Sequence, residues 1–361
     1  MNIFHIYAQD YNVGDHLLGH GVQNMFLKWF DSKSLFRSFD IHSTIIDEQF
    51  IGRINQEADL LLVGGGGLIH GIDKWMLNIE DEMIDEIKKP IIIFGVGYNF
   101  FRTESGMTPV LKESIELMSK KALSFSVRND GSHERLLDQG LYFKEIPDPG
   151  FFLDKTFTYN LKKNGENLKG EYVIIQMAND GRACRGFNDG FNAAMAGLIK
   201  EISPYHNVIL IPHLEVDEWL NDEIYGLVKN LPNVFKLSWH DLICREHLQS
   251  VICLYGGARF VVGMRGHAQI CPIGLNVPVI TVATHDKIGG MAKKLGYEFL
   301  NVEIDDPNLE EELIKKAGFL MDDNNLIKIK KYNSDLMTDI KNAGEEFVKE
   351  LKKKFDECKK N

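Results

Sequence analysis

Short apolar runs alternate with amphipathic stretches of about 10 to 17 residues almost from end to end, the pattern of repeated strand-helix units around parallel sheets. In the first half, residues 3–8, 59–63, 91–95, 123–128 and 142–146 read as strands. Leu17, Leu18, Val22, Met25, Phe26 and Trp29 recur at helical spacing behind Asp15, which predicts a helix over 15–30 with Asp15 as its N-cap. The second half repeats the pattern, with strands over 172–176, 207–211, 233–237, 259–263 and 278–282. Between the halves, Pro147-Asp148-Pro149-Gly150 and the polar stretch 159–170 break regular structure. The expectation is an α/β protein with an N-terminal lobe over 1–158 and a C-terminal lobe over 171–325. Beyond Lys330, residues Leu336, Ile340, Phe347, Val348, Leu351 and Phe355 keep a helical period on a charged segment, predicting a long helix over 331–358 that docks one apolar stripe on the body.

A chain of 361 residues suits two domains. Its 41 Lys and Arg against 52 Asp and Glu leave a net charge of -11, which argues against a broad basic surface and hence against nucleic acid as a partner. No apolar run approaches the ~20 residues that cross a bilayer, so no transmembrane segment is expected, while peripheral membrane contact stays open. The chain enters a strand at Asn2 without a basic start or a small-residue cleavage site, which points to the cytoplasm rather than secretion. Cysteines at 184, 244, 253, 271 and 358 form no C-x-x-C pair, which fits reduced thiols and offers no zinc cluster; no metal site is expected.

In parallel sheets ligands bind beyond the carboxyl ends of the strands, near helix N-termini whose unpaired amides attract anions. After Val63 comes Gly64-Gly65-Gly66-Gly67, read as a loop almost without side chains, and Gly95-Val96-Gly97 follows the next strand. Gly65, Gly66, Gly67 and Gly97 would let a ligand approach the backbone, although glycines there also serve close packing alone. Neither segment is a G-x-G-x-x-G and no G-K-[ST] occurs, so dinucleotide and P-loop motifs are missing. The sharpest cluster is Gly263-Met264-Arg265-Gly266-His267, after a strand and opening a helix: a guanidinium fork, an imidazole and helix amides make an anion site. Arg128 stands at a strand end of the other lobe, where it serves either a facing ligand or a salt bridge. His213, His285 and Lys287 also follow strands, and Asp15 reads first as a cap and second as a contact for a hydroxyl.

The ordered set Asn12-Val13-Gly14-Asp15, Gly64 to Leu68, Gly95-Val96-Gly97, Ser126-Val127-Arg128, Asp148-Pro149, Pro212-His213, Arg265-Gly266-His267-Ala268 and Val277-Pro278-Val279-Ile280 resembles the polysaccharide pyruvyl transferase family over roughly residues 1 to 300. The resemblance implies two Rossmann-like lobes whose parallel sheets face across a cleft, as in GT-B glycosyltransferases. It also implies transfer of pyruvate from phosphoenolpyruvate to two hydroxyls of a saccharide, free or lipid- or nucleotide-linked, to form a cyclic ketal. Arg128, Arg265 and His267 carry over as donor-site residues, with Lys287 beside them, and the Asn12 to Asp15 segment and the glycines fall in the lobe that would take the acceptor. The family commonly has aspartate directly after the S-V-R arginine, whereas here Asn129 intervenes before Asp130.

These residue types also suit that chemistry on their own terms. Phosphoenolpyruvate carries a carboxylate and a phosphate, which arginines, a lysine and a helix N-terminus complement without any added cofactor. His267 is the candidate acid/base, or a donor to an anionic oxygen only. A glycosyltransferase using a nucleotide-sugar and a non-catalytic sugar- or phosphate-binding protein are the competing readings.

Overall fold

The computed structural model describes residues 1–360 except 10, 71–76, 78, 100–106, 156–161, 164–165, 168–169, 180–188, 244–247 and 285. In chain order the elements are β1 (Asn2–Tyr7), α1 (Val13–Trp29), β2 (Leu35–Asp40), α2 (Glu48–Glu57), β3 (Leu60–His70), β4 (Ile91–Asn99), α3 (Pro109–Lys121), β5 (Ser124–Arg128), α4 (Ser132–Leu137) and β6 (Lys144–Ile146). A short hairpin of β7 (Lys162–Lys163) and β8 (Glu166–Asn167) precedes β9 (Tyr172–Gln176), α5 (Asp189–Ile202), β10 (Asn207–Ile211), α6 (Glu215–Val228), β11 (Val234–Lys236), α7 (Trp239–Ile243) and α8 (Leu248–Gly257). The chain closes with β12 (Val261–Gly263), α9 (Gly266–Gly274), β13 (Val279–Ala283), α10 (Asp286–Lys294), β14 (Asn301–Glu303), α11 (Leu309–Met321) and α12 (Asp323–Cys358).

Two six-stranded sheets result, ordered β2-β1-β3-β4-β5-β6 and β11-β10-β9-β12-β13-β14, and every pairing in them is parallel. Central strands buried on both faces must be apolar throughout, which is why Leu60 to Val63, Ile91 to Phe94 and Asn207 to Ile211 are legible as continuous runs. The edge strands β2 and β14 escape the sequence reading because Leu35–Asp40 mixes exposed and half-buried positions and Asn301–Glu303 has one buried residue in three. The strand order reverses between β1 and β3 in the first sheet and between β9 and β12 in the second, so each sheet has its own switch-point crevice.

Two expectations need correction. The four glycines are not a loop: β3 runs on through them to His70, paired to β4 with a register shift between Gly66 and Ile69. Their φ angles of 151°, 76° and 109° at Gly64, Gly65 and Gly66 lie where side chains are disfavoured, and a Cβ on Gly64 would overlap the Phe94 carbonyl oxygen. Glycine here keeps two strands close rather than ending one. Asp15 is likewise not the N-cap of α1, which begins at Val13; Asn12 Oδ1 accepts the Gly14 amide at 2.8 Å and does the capping, leaving the Asp15 carboxylate for another task.

The chain divides into two compact units, the first comprising Met1–Asp10, Asp15–Phe152 and Asp339–Asn361, the second Tyr11–Gly14 and Leu153–Thr338. Helix α12 starts eight residues before the predicted 331 and contributes to both: Leu326, Ile329 and Met337 are buried in its first part, Ile340, Phe347, Val348, Leu351 and Phe355 in its second. In the first unit Phe347 packs 5.7 Å from Phe94 and Phe355 5.3 Å from Phe30, ring centre to ring centre, so the helix closes the core beside α1. Among the described residues no helix is long and apolar enough to cross a membrane.

Candidate functional site

In the first unit, β5 delivers Arg128 to the carboxyl end of the sheet, where its side chain is only 4% exposed. Nε donates to Asp130 Oδ2 at 2.7 Å and Nη1 stands 3.4 Å from Asp148 Oδ2. Burial by itself would lower the Arg128 pKa, but Asp130, Asp148 and Asp15 outweigh it and raise it above the ordinary arginine value. Asp130 also lies 3.8 Å from Arg135, and Asn129 Oδ1 accepts the Asp148 amide at 2.9 Å. The residue that departs from the family pattern thus ties the end of β5 to the segment carrying Asp148. Gly97 is required beside this cluster, since a Cβ there would sit 2.5 Å from Arg128 Nε. On the other side of Asp15, a Cβ on Gly66 would come 3.0 Å from Oδ1, and a Cβ on Gly67 would overlap the Asn99 amide, whose Nδ2 donates to the Gly67 carbonyl at 3.1 Å. Asp15, Gly65, Gly66, Gly67, Gly97 and Arg128 therefore share one edge of the first sheet.

In the second unit, β12 ends at Gly263 and α9 begins at Gly266, with Arg265 in the N-cap position on extended backbone. Gln176, at the end of the adjacent strand β9, accepts the Arg265 amide on Oε1 at 3.0 Å. The Arg265 guanidinium grips buried Asp217 as a fork, Nε to Oδ2 at 2.8 Å and Nη2 to Oδ1 at 2.6 Å, and is 17% exposed. Asp217 is the hub: its carboxylate also accepts the amides of Asn179 (2.9 Å), His213 (3.1 Å) and Leu214 (2.9 Å), fixing three strand-end segments around one buried charge. Asp217 has no distinctive signature in the sequence. The signal available was an acidic residue in the first turn of the helix after Pro212-His213, a place that reads as ordinary helix chemistry until the arginine across the sheet is known.

His267 follows two residues after Arg265 in the first turn of α9 and is half-buried. Gly14 lies against it so closely that a Cβ would overlap the imidazole, and the neighbouring Val13 amide donates to the His213 carbonyl at 3.0 Å. The Tyr11 to Gly14 segment thus joins the second unit at the two histidines. His213 itself is fully buried, its Nε2 2.6 Å from Tyr255 Oη. Burial, reinforced by the Arg265 charge, lowers its pKa to about 3, so the ring is neutral at physiological pH. His213, which the sequence expectation placed in contact with substrate, is enclosed by protein, and among the described residues its Nδ1 has no hydrogen-bond partner. His285 lies outside the described residues, and Lys287 belongs to the first turn of α10. The structure thus groups Arg265, His267 and His213 in one unit and Arg128, Asp15 and the glycines in the other.

Comparison with solved structures identifies the fold. The UDP-GlcNAc 2-epimerase from Methanocaldococcus jannaschii is similar with a TM-score of 0.53 at 12% identity, over 90% of this chain and 94% of that one. An OtsA apo structure gives a TM-score of 0.53 at 10% identity, over 97% and 99%. The UDP-GlcNAc 2-epimerase from Neisseria meningitidis bound to UDP-GlcNAc gives 0.50 at 12%, over 92% and 94%. At such identities the likeness shows the fold alone, the α/β class with two parallel sheets of GT-B enzymes. No curated protein matches the chain at a significant level. The profile of polysaccharide pyruvyl transferases, however, matches residues 12–286, a span from the cap of α1 to the start of α10 that takes in both strand-end clusters, and the chain belongs to the polysaccharide pyruvyl transferase family.

Proposed function

We propose that this protein transfers pyruvate from phosphoenolpyruvate to two hydroxyls of a saccharide acceptor, forming a cyclic ketal and releasing phosphate. The observation that carries the reading is the Arg265 fork, held by Asp217 at the N-terminus of α9 with His267 in the same turn. A helix N-terminus and a guanidinium together favour a carboxylate or phosphate, and a charge already oriented by a buried partner loses little freedom on binding. Phosphoenolpyruvate is here a substrate, and the scheme calls for no separate cofactor.

In this scheme a proton is delivered to the methylene carbon of the donor while one acceptor hydroxyl attacks the adjacent carbon. The second hydroxyl then displaces phosphate and closes the ring; of the two hydroxyl protons, one balances the new methyl group and one leaves with phosphate. His267 is the assigned acid/base, because an imidazole in the same helical turn as the anion site can give and take a proton near neutral pH. Arg265 neutralises the donor, and Lys287 is the candidate for a second cationic contact. Arg128, enclosed by carboxylates, fits the upkeep of the first unit's strand edge better than direct donor binding.

The test is phosphate release from phosphoenolpyruvate across a panel of saccharides, with donor affinity read separately by calorimetry. His267→Gln keeps a hydrogen-bond donor of similar reach, whereas His267→Ala keeps none. An acid/base role predicts that both lose roughly 10² to 10⁴ in turnover while Gln retains most donor affinity. Wild-type turnover in His267→Gln would reduce the residue to electrostatic positioning, and no phosphoenolpyruvate binding by the native protein would sink the reading as a whole.

A further inference from the structure

Among the described residues of the first unit, Gln9 stands out as a buried amide with neither end hydrogen-bonded. Gln9, two residues past the end of β1, is 0% exposed, yet neither Nε2 nor Oε1 makes a hydrogen bond, although its backbone amide donates to Asp40 Oδ1 at 3.0 Å. Leaving both ends of a buried amide unsatisfied is costly, and such a group in a native fold calls for a missing partner.

Its place in the fold identifies that partner. Phe4, Ile6 and Ala8 belong to one core cluster, so the alternation of β1 persists to residue 8 and sends His5, Tyr7 and Gln9 to the opposite face, under α1. There the strand and helix run past each other in a fixed register: His5 Nδ1 lies 3.2 Å from Gln23 Nε2, and Tyr7 fills the place a Cβ on Gly19 would take. Two residues of strand, about 6.6 Å, match about four residues of helix. The next step therefore sets Gln9 level with Asp15 and His16. On the other flank, β1 pairs with β3 as far as Ile6 and Val63, and Gly66, just beyond on β3, lies against Asp15. Gln9 thus stands at the β1/β3 switch point, where open parallel sheets take their ligands.

The charges nearby choose the ligand class. Among the described residues Arg128 and Arg135 stand against Asp15, Asp130, Glu134 and Asp148, an acidic surplus that disfavours an anion such as phosphoenolpyruvate. A carboxamide offers two N-H donors and an acceptor oxygen, which suits neighbouring hydroxyls that each donate and accept. We propose that the Gln9 amide reads a pair of adjacent hydroxyls on a neutral sugar bound in the β1/β3 crevice of the first unit, making it a specificity-determining residue for the acceptor. The inference rests on the pyruvyl-transfer reading for the choice of a sugar; the unpaired amide of Gln9 stands without it.

The test uses the full chain without phosphoenolpyruvate and measures binding of methyl hexopyranosides of gluco, galacto and manno configuration by saturation-transfer NMR, alongside thermal melting. Gln9→Met keeps the shape and removes the unsatisfied amide. Its melting temperature should rise, by roughly 2 to 6 °C, while affinity for the best hexoside falls at least tenfold. Deoxy analogues lacking either hydroxyl read by Gln9 should bind the native protein weakly and lose nothing further in Gln9→Met, because the same contact is removed twice. Should Gln9→Met not fold, Gln9→Asn withdraws the amide by one methylene and should weaken the same hexosides.

A lower melting temperature with unchanged hexoside binding in Gln9→Met would mean that an internal water satisfies the amide, and would overturn the proposal. So would a loss of phosphoenolpyruvate affinity in place of sugar affinity, or a native protein that binds none of the hexosides at millimolar concentration. If hexosides bind as described but no pyruvate is transferred, the reaction reading fails and the sugar site stands.

Discussion

Arg128 and Arg265 both stand at the carboxyl end of a parallel strand, the first as the last residue of β5 and the second two residues beyond β12, and their surroundings differ in charge and burial. Arg128 meets two carboxylates directly, feels a third from Asp15, and is almost wholly enclosed. Arg265 is gripped by the Asp217 carboxylate on both arms of its fork and sits at a helix N-terminus with its side chain partly exposed. A buried ion pair adds little over apolar packing, but breaking it strands a charge. The comparison therefore teaches that an arginine at a strand end is enclosed by carboxylates within the fold in one unit and left partly exposed at a helix N-terminus in the other.

The largest effect should come from removing the enclosed arginine. Arg128→Ala removes the shared counter-charge of two buried carboxylates, leaving Asp130 with Arg135 and the Ser132 amide and Asp148 with the Gly150 amide, and should cost about 3 to 5 kcal/mol in urea unfolding. A variant as stable as the native protein would break the contrast between the two arginines.

Acid should act on both units through buried histidines. Burial, opposed by the hydrogen bond to the Gly64 carbonyl, lowers the His5 pKa to about 4, and His213 is lowered to about 3, against an ordinary value of 6.5. Between those limits the unfolded chain binds protons that the folded one refuses, so stability is complete above pH 6.5 and declines as pH falls toward 4. Each histidine should account for about 2 kcal/mol of loss between pH 7 and 5. His213→Gln should halve that loss and leave the share of the first unit, and a pH-independent native stability over this range would refute the account.

Arg265→Ala should weaken phosphoenolpyruvate binding by more than tenfold, about 1.5 to 3 kcal/mol. Its fold should survive better than that of Arg128→Ala, because three backbone amides still solvate Asp217. Equal losses of stability in the two variants would erase the distinction. The smallest effect is expected at Gly14, where alanine suits a helix but its methyl would press on the His267 ring. Gly14→Ala should keep donor affinity and lower turnover about tenfold by shifting that ring, and unchanged turnover would take His267 out of the chemistry.

The sequence carried the α/β class, ten strands of the two sheets and the Arg265 to His267 turn, because buried central strands must be apolar and loops after them are the natural ligand sites. It did not disclose β2 and β14, whose edge positions tolerate polar residues. Nor did it disclose Asp217 or Gln9, because neither has any local signature: one matters through an arginine 48 residues away, the other through a hydrogen bond it does not make. Asp15 reads in sequence as a cap because a capping aspartate and an aspartate two residues inside the helix look alike, whereas the cap is Asn12.

The glycine stretch of β3 also bears on how such an enzyme changes its substrate. Gly64 and Gly67 leave no room for a side chain, and Gly64, Gly65 and Gly66 have backbone angles that disfavour one, so this wall of the first sheet offers only peptide groups and resists almost any substitution. A surface that cannot vary cannot discriminate. If the acceptor binds here as proposed, selection for a new one works through the side chains around the wall, Gln9 beyond β1, Asp15 from α1 and Asn99 from β4, and a library meant to alter acceptor choice would be randomised there while the glycines are left untouched.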